Sequence, residues 1–275
     1  MPSTAWRPAF LIRLSIALHL AALMLVVVEP GQWPCALGAV AANQIVLTVA
    51  GLWPRSSWLG SNWTRLPAAA AARNEVAMTI DDGPDPVVTP QVLDILDRYS
   101  VKATFFCIGD KVALYPELCR EIVRRGHAVE NHSQRHCHSF AFLGYAGFMG
   151  ELGAAQDTLT GITGQRPVFF RAPAGLRNPL LDPVLHRLGL QLASWSVRGF
   201  DTCIGDAGRV KSKLLGSLRA GAILLLHDGN AARTPAGIPV ILEVLPAVLA
   251  AAAAAKLNFV TLRQAGGDLK SREAT

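Results

Sequence analysis

The feature that most limits the possible folds of this chain is an alternation of short apolar runs with amphipathic ones, which begins at Glu75. Seven runs predict buried strands: VAMTI (76–80), ATFFCI (103–108), HAVENH (127–132), VFFRA (168–172), LQLASWSV (190–197), AILLLH (222–227) and NFVTL (258–262). Helical patterns lie between most of them, such as TPQVLDILDRY, PELCREIVRRG, LLDPVLHRLG and RVKSKLLGSLRAG. This alternation favours an α/β fold in which about seven parallel strands form a closed or nearly closed barrel covered by helices.

The first 73 residues follow a different pattern. Two apolar stretches, residues 9–28 and 34–53, are separated by the short segment EPGQW. Each stretch is about as long as a helix must be to cross the hydrocarbon core of a bilayer. The sequence therefore predicts a transmembrane hairpin and linker over residues 1–73, followed by a globular domain over residues 74–275.

Positive charge is concentrated beside these stretches. Residues 1–73 hold five arginines and one glutamate, which accounts for most of the formal net charge of +6. The arginines lie around the start of the first stretch and after the second, and none lies between the two. Because positively charged flanks stay on the cytoplasmic side, we expect a hairpin in a bacterial-type inner membrane with the domain facing the cytoplasm. This charge distribution does not indicate a nucleic-acid partner.

Two other arrangements of this region are open. A cleaved signal peptide needs a small-residue cleavage site, and the candidate AVA at 39–41 lies too far beyond the first apolar stretch. Asn43 and Gln44 weaken the second stretch as a membrane span. If that stretch does not insert, the domain lies on the periplasmic or extracellular face.

The five cysteines provide no framework for the fold. Their number is odd and no two form a CxxC pair, so neither a disulfide scaffold nor a thiolate zinc site is indicated. This usage favours a reducing compartment, in agreement with a cytoplasmic domain.

Polar side chains gather where the predicted strands end. Parallel barrels carry their chemistry at the carboxyl ends of the strands, so we expect these side chains to meet on one face. They are Asp81 and Asp82 after the first strand, His132 and His136 after the third, Arg171 after the fourth, Asp201 after the fifth, and His227 with Asp228 after the sixth.

Taken alone, each cluster has an ordinary interpretation. DDGPDP is rich in turn-forming residues, and the two histidines of HSQRH could lie on the surface. The HxxxH spacing is compatible with one face of a helix, but Ser133 stands where a zinc peptidase carries its general-base glutamate. A peptidase of that class is therefore disfavoured, and a base must come from elsewhere.

The adjacent aspartates supply that base. Two imidazoles and one carboxylate make an open site for zinc or a similar divalent ion, and the neighbouring carboxylate can take a proton from water. Cobalt, nickel and iron suit the same donors, so zinc is favoured only because it is redox-inert and available.

Five motifs together resemble one known family. TIDDGP, HSQRH, RAPAG, WSVRGFDT and LLLHD stand in the order and spacing of the motifs of NodB-type polysaccharide deacetylases, carbohydrate esterase family four. The resemblance covers residues 76–262. It implies a distorted (β/α) barrel and the metal-dependent hydrolysis of an N-acyl group, usually N-acetyl, on an amino sugar.

The resemblance also implies a role for each matching residue. Asp81 would be the base, His227 the acid, and Asp82, His132 and His136 the metal ligands. Arg171 would orient Asp81, and Asp201 would pair with His227. Pro173, Ala174 and Leu226 would contact the oxyanion or the substrate.

Three positions depart from the family pattern. Ala174 stands where an aromatic residue is usual, Arg198 where an aspartate is common, and Thr202 where a tryptophan is common. The sugar-contacting wall is therefore altered, which disfavours chitin or a long glycan and, with the apolar hairpin, favours a membrane-associated or lipid-linked amino sugar. Deformylation of a lipid-linked amino sugar and a catalytically inactive glycan-binding barrel are the alternatives.

Overall fold

The computed structural model describes residues 5–267, so the last residues of the predicted domain, 268–275, lie outside the described part. The helices are α1 (Phe10–Val28), α2 (Trp33–Leu52), α3 (Ala68–Ala72), α4 (Val88–Arg98), α5 (Gly109–Leu114), α6 (Pro116–Arg124), α7 (Tyr145–Thr163), α8 (Leu181–Leu188), α9 (Ala207–Leu215), α10 (Val240–Ala254) and α11 (Leu262–Ala265). The strands are β1 (Glu75–Gly83), β2 (Thr104–Cys107), β3 (Ala128–Asn131), β4 (Phe169–Phe170), β5 (Gln191–Leu192), β6 (Val197–Arg198), β7 (Ile223–His227) and β8 (Asn258–Phe259).

Seven of the strands in the described residues form one curled parallel sheet, a half-barrel, in the order β5-β4-β3-β2-β1-β7-β6. The eighth, β8, pairs in parallel with the start of β1. The predicted barrel is confirmed, with one change in its strands. The single strand predicted over 190–197 is two short strands, because β5 pairs with β4 whereas β6 pairs with β7.

A segment from the N-terminal region lies between the end of β5 and the residues that precede β7. Trp63 donates its main-chain N–H to the carbonyl of Leu192 at 2.9 Å, and Ser194 donates back to Trp63 at 2.9 Å. Leu66 donates to the carbonyl of Gly221, also at 2.9 Å. We call residues 53–66 the strap. Since its main chain bonds to both segments, the strap bridges β5 and the start of β7 at the end of the barrel opposite the strands' carboxyl ends.

The central strands β1 and β7 are buried on both faces. Met78 and Leu224 pack against the outer helices, whereas Ala77 and Ile223 face the barrel interior. This arrangement explains why both strands are nearly continuous apolar runs rather than alternating ones. The alternation of faces continues to the strand ends and decides which residues reach the functional site.

The N-terminal helices α1 and α2 pack on each other as a hairpin and are long and apolar enough to cross a membrane, with mean hydropathies of 2.4 and 1.8 in their most apolar windows. Their polar side chains are paired within the hairpin. Asn43 donates to Ser15 Oγ at 2.9 Å, and the side-chain nitrogens of Gln44 and His19 are 3.3 Å apart. The polar groups in the second helix are thus satisfied by the first, as membrane-spanning helices require.

Candidate active site

A cavity of about 540 Å³ opens at the carboxyl ends of the strands. Residues at or shortly after the ends of all seven strands of the half-barrel, β1 to β7, line it, as parallel topology demands. Its charged and polar lining residues are Asp81, Asp82, Lys111, His132, Arg135, His136, His138, Arg198, Thr202, His227 and Asn230.

The adjacent aspartates both line this cavity because the end of β1 is irregular. Neighbouring residues of a regular strand point to opposite faces. Here the register with β2 shifts between Asp81 and Gly83, and Asp82 adopts a left-handed conformation with φ 72°. The distortion turns the Asp82 carboxylate toward the same side as that of Asp81.

Asp82, His132 and His136 form a group that could hold a metal ion. Nε2 of each histidine lies 3.2 Å from Asp82 Oδ1, and the three ligand atoms lie within 4.8 Å of one another. The histidines come from a loop rather than from the helix that their spacing allows, since Ser133 and His136 both have positive φ, 64° and 52°. The loop therefore places both imidazoles next to the carboxylate of Asp82.

The protonation states of this group suit a divalent metal. Nδ1 of His132 donates to the carbonyl of Arg171 at 2.8 Å, so Nε2 is the nitrogen that faces the Asp82 carboxylate. Burial and the charge of His132 lower the pKa of His136 to about 4, so this imidazole is neutral at pH 7. Burial raises the pKa of Asp82, but its hydrogen bond to His132 and the nearby histidine charges lower it more, to well below its usual range. Neutral imidazoles and an ionised carboxylate are the forms that bind metal.

Arg171 is buried beneath the cavity and holds Asp81. Its Nη1 donates to Asp81 Oδ1 at 2.6 Å and to Thr79 Oγ1 at 2.8 Å. Its other guanidinium nitrogens donate to the carbonyls of Ala193 and Ser194, and the ring of Phe106 lies 4.1 Å away. Since the guanidinium is fixed on every side, it holds one oxygen of Asp81 in place.

His227 is paired with Asp201 behind the cavity. Nδ1 of His227 lies 2.9 Å from Asp201 Oδ1, and the main-chain N–H of His227 donates to Asp201 Oδ2 at 2.7 Å. Burial lowers the pKa of His227, but the hydrogen bond and charge of Asp201 raise it more, so the pKa lies above its ordinary value. With Nδ1 occupied, Nε2 is the nitrogen that can give a proton to a group in the cavity.

Besides Arg171 and Asp201, three other sequence-predicted residues lie outside this cavity. Leu226 packs in the core against the outer helices, and Leu225 lines the cavity instead, because side chains alternate along β7. Pro173 is buried under the turn that carries Ala174, whereas Ala174, with φ 53°, lines the cavity. Asp228 is buried and accepts a hydrogen bond from Thr89 at 2.5 Å; burial raises its pKa to about 7.

Two residues that contact Asp82 were not predicted from the sequence. Lys111 Nζ donates to the main-chain carbonyl of Asp82 at 2.8 Å, and Asn230 Nδ2 donates to Asp82 Oδ2 at 3.2 Å. Both follow the carboxyl ends of strands, β2 and β7, so the rule that located the other residues extends to them. Asn230 thus bonds to Oδ2 of Asp82, whereas Oδ1 of the same carboxylate faces the two histidines.

A parallel half-barrel with a cluster of potential metal ligands, a carboxylate and a paired histidine at one end defines the class of metal-dependent hydrolases built on a (β/α) barrel. A sequence model described as "Polysaccharide deacetylase" matches residues 68–193. The chitooligosaccharide deacetylase of Bradyrhizobium sp. (strain ANU 289) is 37% identical over 173 residues, which are 60% of this chain and 78% of that protein.

Two solved structures of deacetylases or carbohydrate esterases also resemble this chain. The peptidoglycan N-acetylglucosamine deacetylase Bc1960, in complex with 4-naphthalen-1-yl-N-oxidanyl-benzamide, is 26% identical with a TM-score of 0.67, and the match covers 74% of this chain and 92% of that one. A family 4 carbohydrate esterase from Streptomyces lividans, in complex with acetate, is 30% identical with a TM-score of 0.61, covering 67% and 91%. The chain therefore belongs to the NodB-type polysaccharide deacetylases, carbohydrate esterase family four, which are metal-dependent hydrolases of carbon–nitrogen bonds.

Proposed function

We propose that this protein removes the N-acetyl group from an amino sugar on a membrane-associated or lipid-linked glycan. The observation that carries the proposal is the meeting of Asp82, His132 and His136 with Asp81 and His227 around one cavity. The names of the relatives, chitooligosaccharide and peptidoglycan N-acetylglucosamine deacetylases, support an N-acetyl amino sugar as the substrate class.

In the proposed mechanism, Asp82, His132 and His136 hold the divalent metal, zinc being favoured. The metal, when bound, supplies a Lewis acid that polarises the amide carbonyl and makes water more acidic. Asp81 takes the proton from the attacking water, because Arg171 holds its carboxylate at the cavity floor.

Ala174 and His227 act in the remaining steps, which are stabilisation of the negative charge and protonation of the leaving amine. The main chain at Ala174, on the cavity rim, faces the oxygen that becomes negatively charged as water adds to the carbonyl. His227 Nε2 then gives its proton to the leaving amine, and Asp201 stabilises the protonated ring from behind. Acetate and the free amino sugar are the products, so atoms and charge balance without a further reactant.

We also propose that α1 and α2 anchor the protein and that the domain faces the cytoplasm. Both domain-side ends of the hairpin contact the domain: Trp6 Nε1 donates to Asp182 at 2.8 Å, and the carbonyl of Gly51 accepts from the main-chain N–H of Arg177 at 3.2 Å. Because the start of α1 and the end of α2 both lie at the domain, the hairpin would enter and leave the membrane on the side that holds the domain. The flanking arginines favour the cytoplasm.

The test is an assay of the full chain purified in detergent and loaded with zinc, cobalt, nickel or iron. N-acetyl and N-formyl amino sugars, free and lipid-linked, are supplied in parallel, and released acetate or formate is measured. We expect acetate from the lipid-linked N-acetyl sugar, at a rate that falls by about 10²–10⁴-fold in Asp81→Asn. Formate release alone would favour a deformylase, and no release with any metal would support an inactive binding barrel.

A further inference from the structure

A second cavity, of about 520 Å³, adjoins the active-site cavity and shares Trp195 and Arg198 with it. It extends to Trp53, the first residue after α2, and therefore joins the active site to the end of the second apolar helix. Its other lining residues are Pro54, Arg55, Ser196, Val197, Phe200, Lys213 and Ser217.

This second cavity is positively charged and lacks a counter-charge. Arg55, Arg198 and Lys213 line it, together with no aspartate or glutamate. Among residues 5–267, none of these three cations forms a salt bridge with a carboxylate. Other arginines on the surface, such as Arg125, do pair with acidic neighbours. Three unpaired cations around one cavity favour an anionic ligand.

The guanidinium of Arg198 is held in place but left short of hydrogen-bond acceptors. Its Nε is buried and has no hydrogen-bond partner among the described residues, and its Nη2 makes only a 3.5 Å contact with Thr202 Oγ1. The rings of Trp195 and Phe200 lie 5.6 Å and 5.1 Å from its central carbon. Because a buried donor without a partner is costly, this Nε–H points to an acceptor that the chain does not supply.

The other two cations are also placed by neutral groups. Lys213 Nζ lies 5.1 Å from the centre of the Phe200 ring, and Arg55 donates to the main-chain carbonyl of Ser196 at 3.2 Å. Aromatic rings and carbonyls orient these side chains without neutralising them. A phosphate group, with several acceptor oxygens and up to two charges, suits such a cluster.

We propose that this second cavity binds the phosphate or diphosphate through which the substrate sugar is joined to a lipid. The inference rests on the proposed function, since it takes the N-acetyl sugar in the adjacent cavity as its starting point. The lipid chain leaves past Trp53 toward α2. Trp53 and Trp58 are 48% and 51% exposed there and pack edge to face. Tryptophan is enriched at membrane–water interfaces, which suits this position.

Kinetics with matched substrates test the proposal. One substrate is N-acetylglucosamine joined through a diphosphate to a ten-carbon prenyl chain, the second is the uncharged prenyl glycoside of the same sugar, and the third is the water-soluble sugar 1-phosphate. We expect Arg198→Gln and Lys213→Gln to lower the ratio of kcat/KM for the diphosphate over the glycoside by about tenfold or more. Lys213→Arg, which keeps the charge, should restore most of that ratio.

Lys211→Gln is the matched control, because Lys211 is exposed on the same helix α9 and lies outside both cavities. It should leave the ratio unchanged. If kcat/KM is equal for the sugar 1-phosphate and the lipid diphosphate, the proposal that the phosphate belongs to a lipid-linked substrate is wrong. An unchanged ratio in both Arg198→Gln and Lys213→Gln would overturn the phosphate site itself.

A binding measurement separates this proposal from the proposed function. Prenyl diphosphate, which carries no amide, is titrated into the full chain in detergent micelles by calorimetry. Binding that weakens about tenfold in Arg198→Gln supports the phosphate site even if no sugar is ever deacetylated. Deacetylation of the neutral glycoside without any binding of prenyl diphosphate would support the proposed function and refute the phosphate site.

Discussion

The main-chain carbonyl of Arg171 accepts a hydrogen bond from Nδ1 of His132 at 2.8 Å, while the guanidinium of the same residue donates to Asp81 at 2.6 Å. One residue thus orients a proposed metal ligand through its main chain and the proposed base through its side chain. The two contacts can be separated experimentally, because a substitution at position 171 removes only the second.

Arg171→Lys should therefore lower turnover without removing the metal. Lysine keeps a positive charge but cannot reach Asp81, Thr79 and two carbonyls at once, so Asp81 loses its fixed orientation. We expect kcat to fall about 10²-fold, the usual cost of a misplaced catalytic group, with one metal ion still bound per chain. Metal analysis beside steady-state kinetics measures both. A variant that loses metal and activity together would contradict the separation.

The two adjacent aspartates should respond differently to the same substitution. Asp81→Asn should keep the metal while turnover falls by about 10²–10⁴-fold, the range assigned to general acid–base catalysis. Asp82→Asn should first weaken metal binding, and His132→Ala should abolish metal and activity together. Titration of each apoprotein with zinc gives the affinities. Exchanged phenotypes for Asp81 and Asp82 would refute the assignment.

The pairing of His227 with Asp201 predicts a change in the pH profile. Asp201 raises the pKa of His227, so replacing it with asparagine lowers that pKa. A proton donor is active below its pKa and loses activity as the pH rises through it. Asp201→Asn should therefore move the alkaline limb of kcat/KM to lower pH. If that limb stays in place while the overall rate falls, His227 is not the acid.

The close contact between α2 and the turn after Ala174 predicts that a methyl group at Gly51 is harmful. A Cβ there would lie 2.2 Å from the carbonyl oxygen of Arg177. We expect Gly51→Ala to destabilise the protein by about 1–3 kcal/mol and to reduce activity, because the helix or the turn must shift. Gly38→Ala, on the same helix with nothing within 4 Å of its added Cβ, is the control. Thermal unfolding in detergent compares them; equal melting temperatures would contradict the prediction.

The hairpin and its flanking arginines together predict that the domain lies on the cytoplasmic side of the membrane. A reporter enzyme that is active only after export, fused after Thr275, should be inactive in intact cells. The same reporter fused after Glu29, between the two spans, should be active. Strong activity of the Thr275 fusion would leave residues 9–28 as a single anchor and place the domain outside.

Much of this molecule could be predicted from local pattern. The apolar runs located the strands, and the rule that parallel strands place their carboxyl ends together brought Asp81, Asp82, His132, His136 and His227 to one cavity. The division of the chain at residue 73 stays a prediction. Helix α7 was missed, because its four glycines lower helix propensity and only burial of side chains such as Phe148 and Leu152 offsets that.

What the sequence determined by itself is what depends on residue order: the periodicity of each run, the membrane-length helices, and the type and spacing of the polar residues after each strand. Tertiary structure decided what depends on which surfaces meet. It placed Leu225 rather than Leu226 in the cavity, bridged β5 and the start of β7 with the strap, and put Arg198 beside Lys213 and Arg55. These contacts join residues far apart in the chain, and local periodicity carries no information about which distant segment supplies the partner.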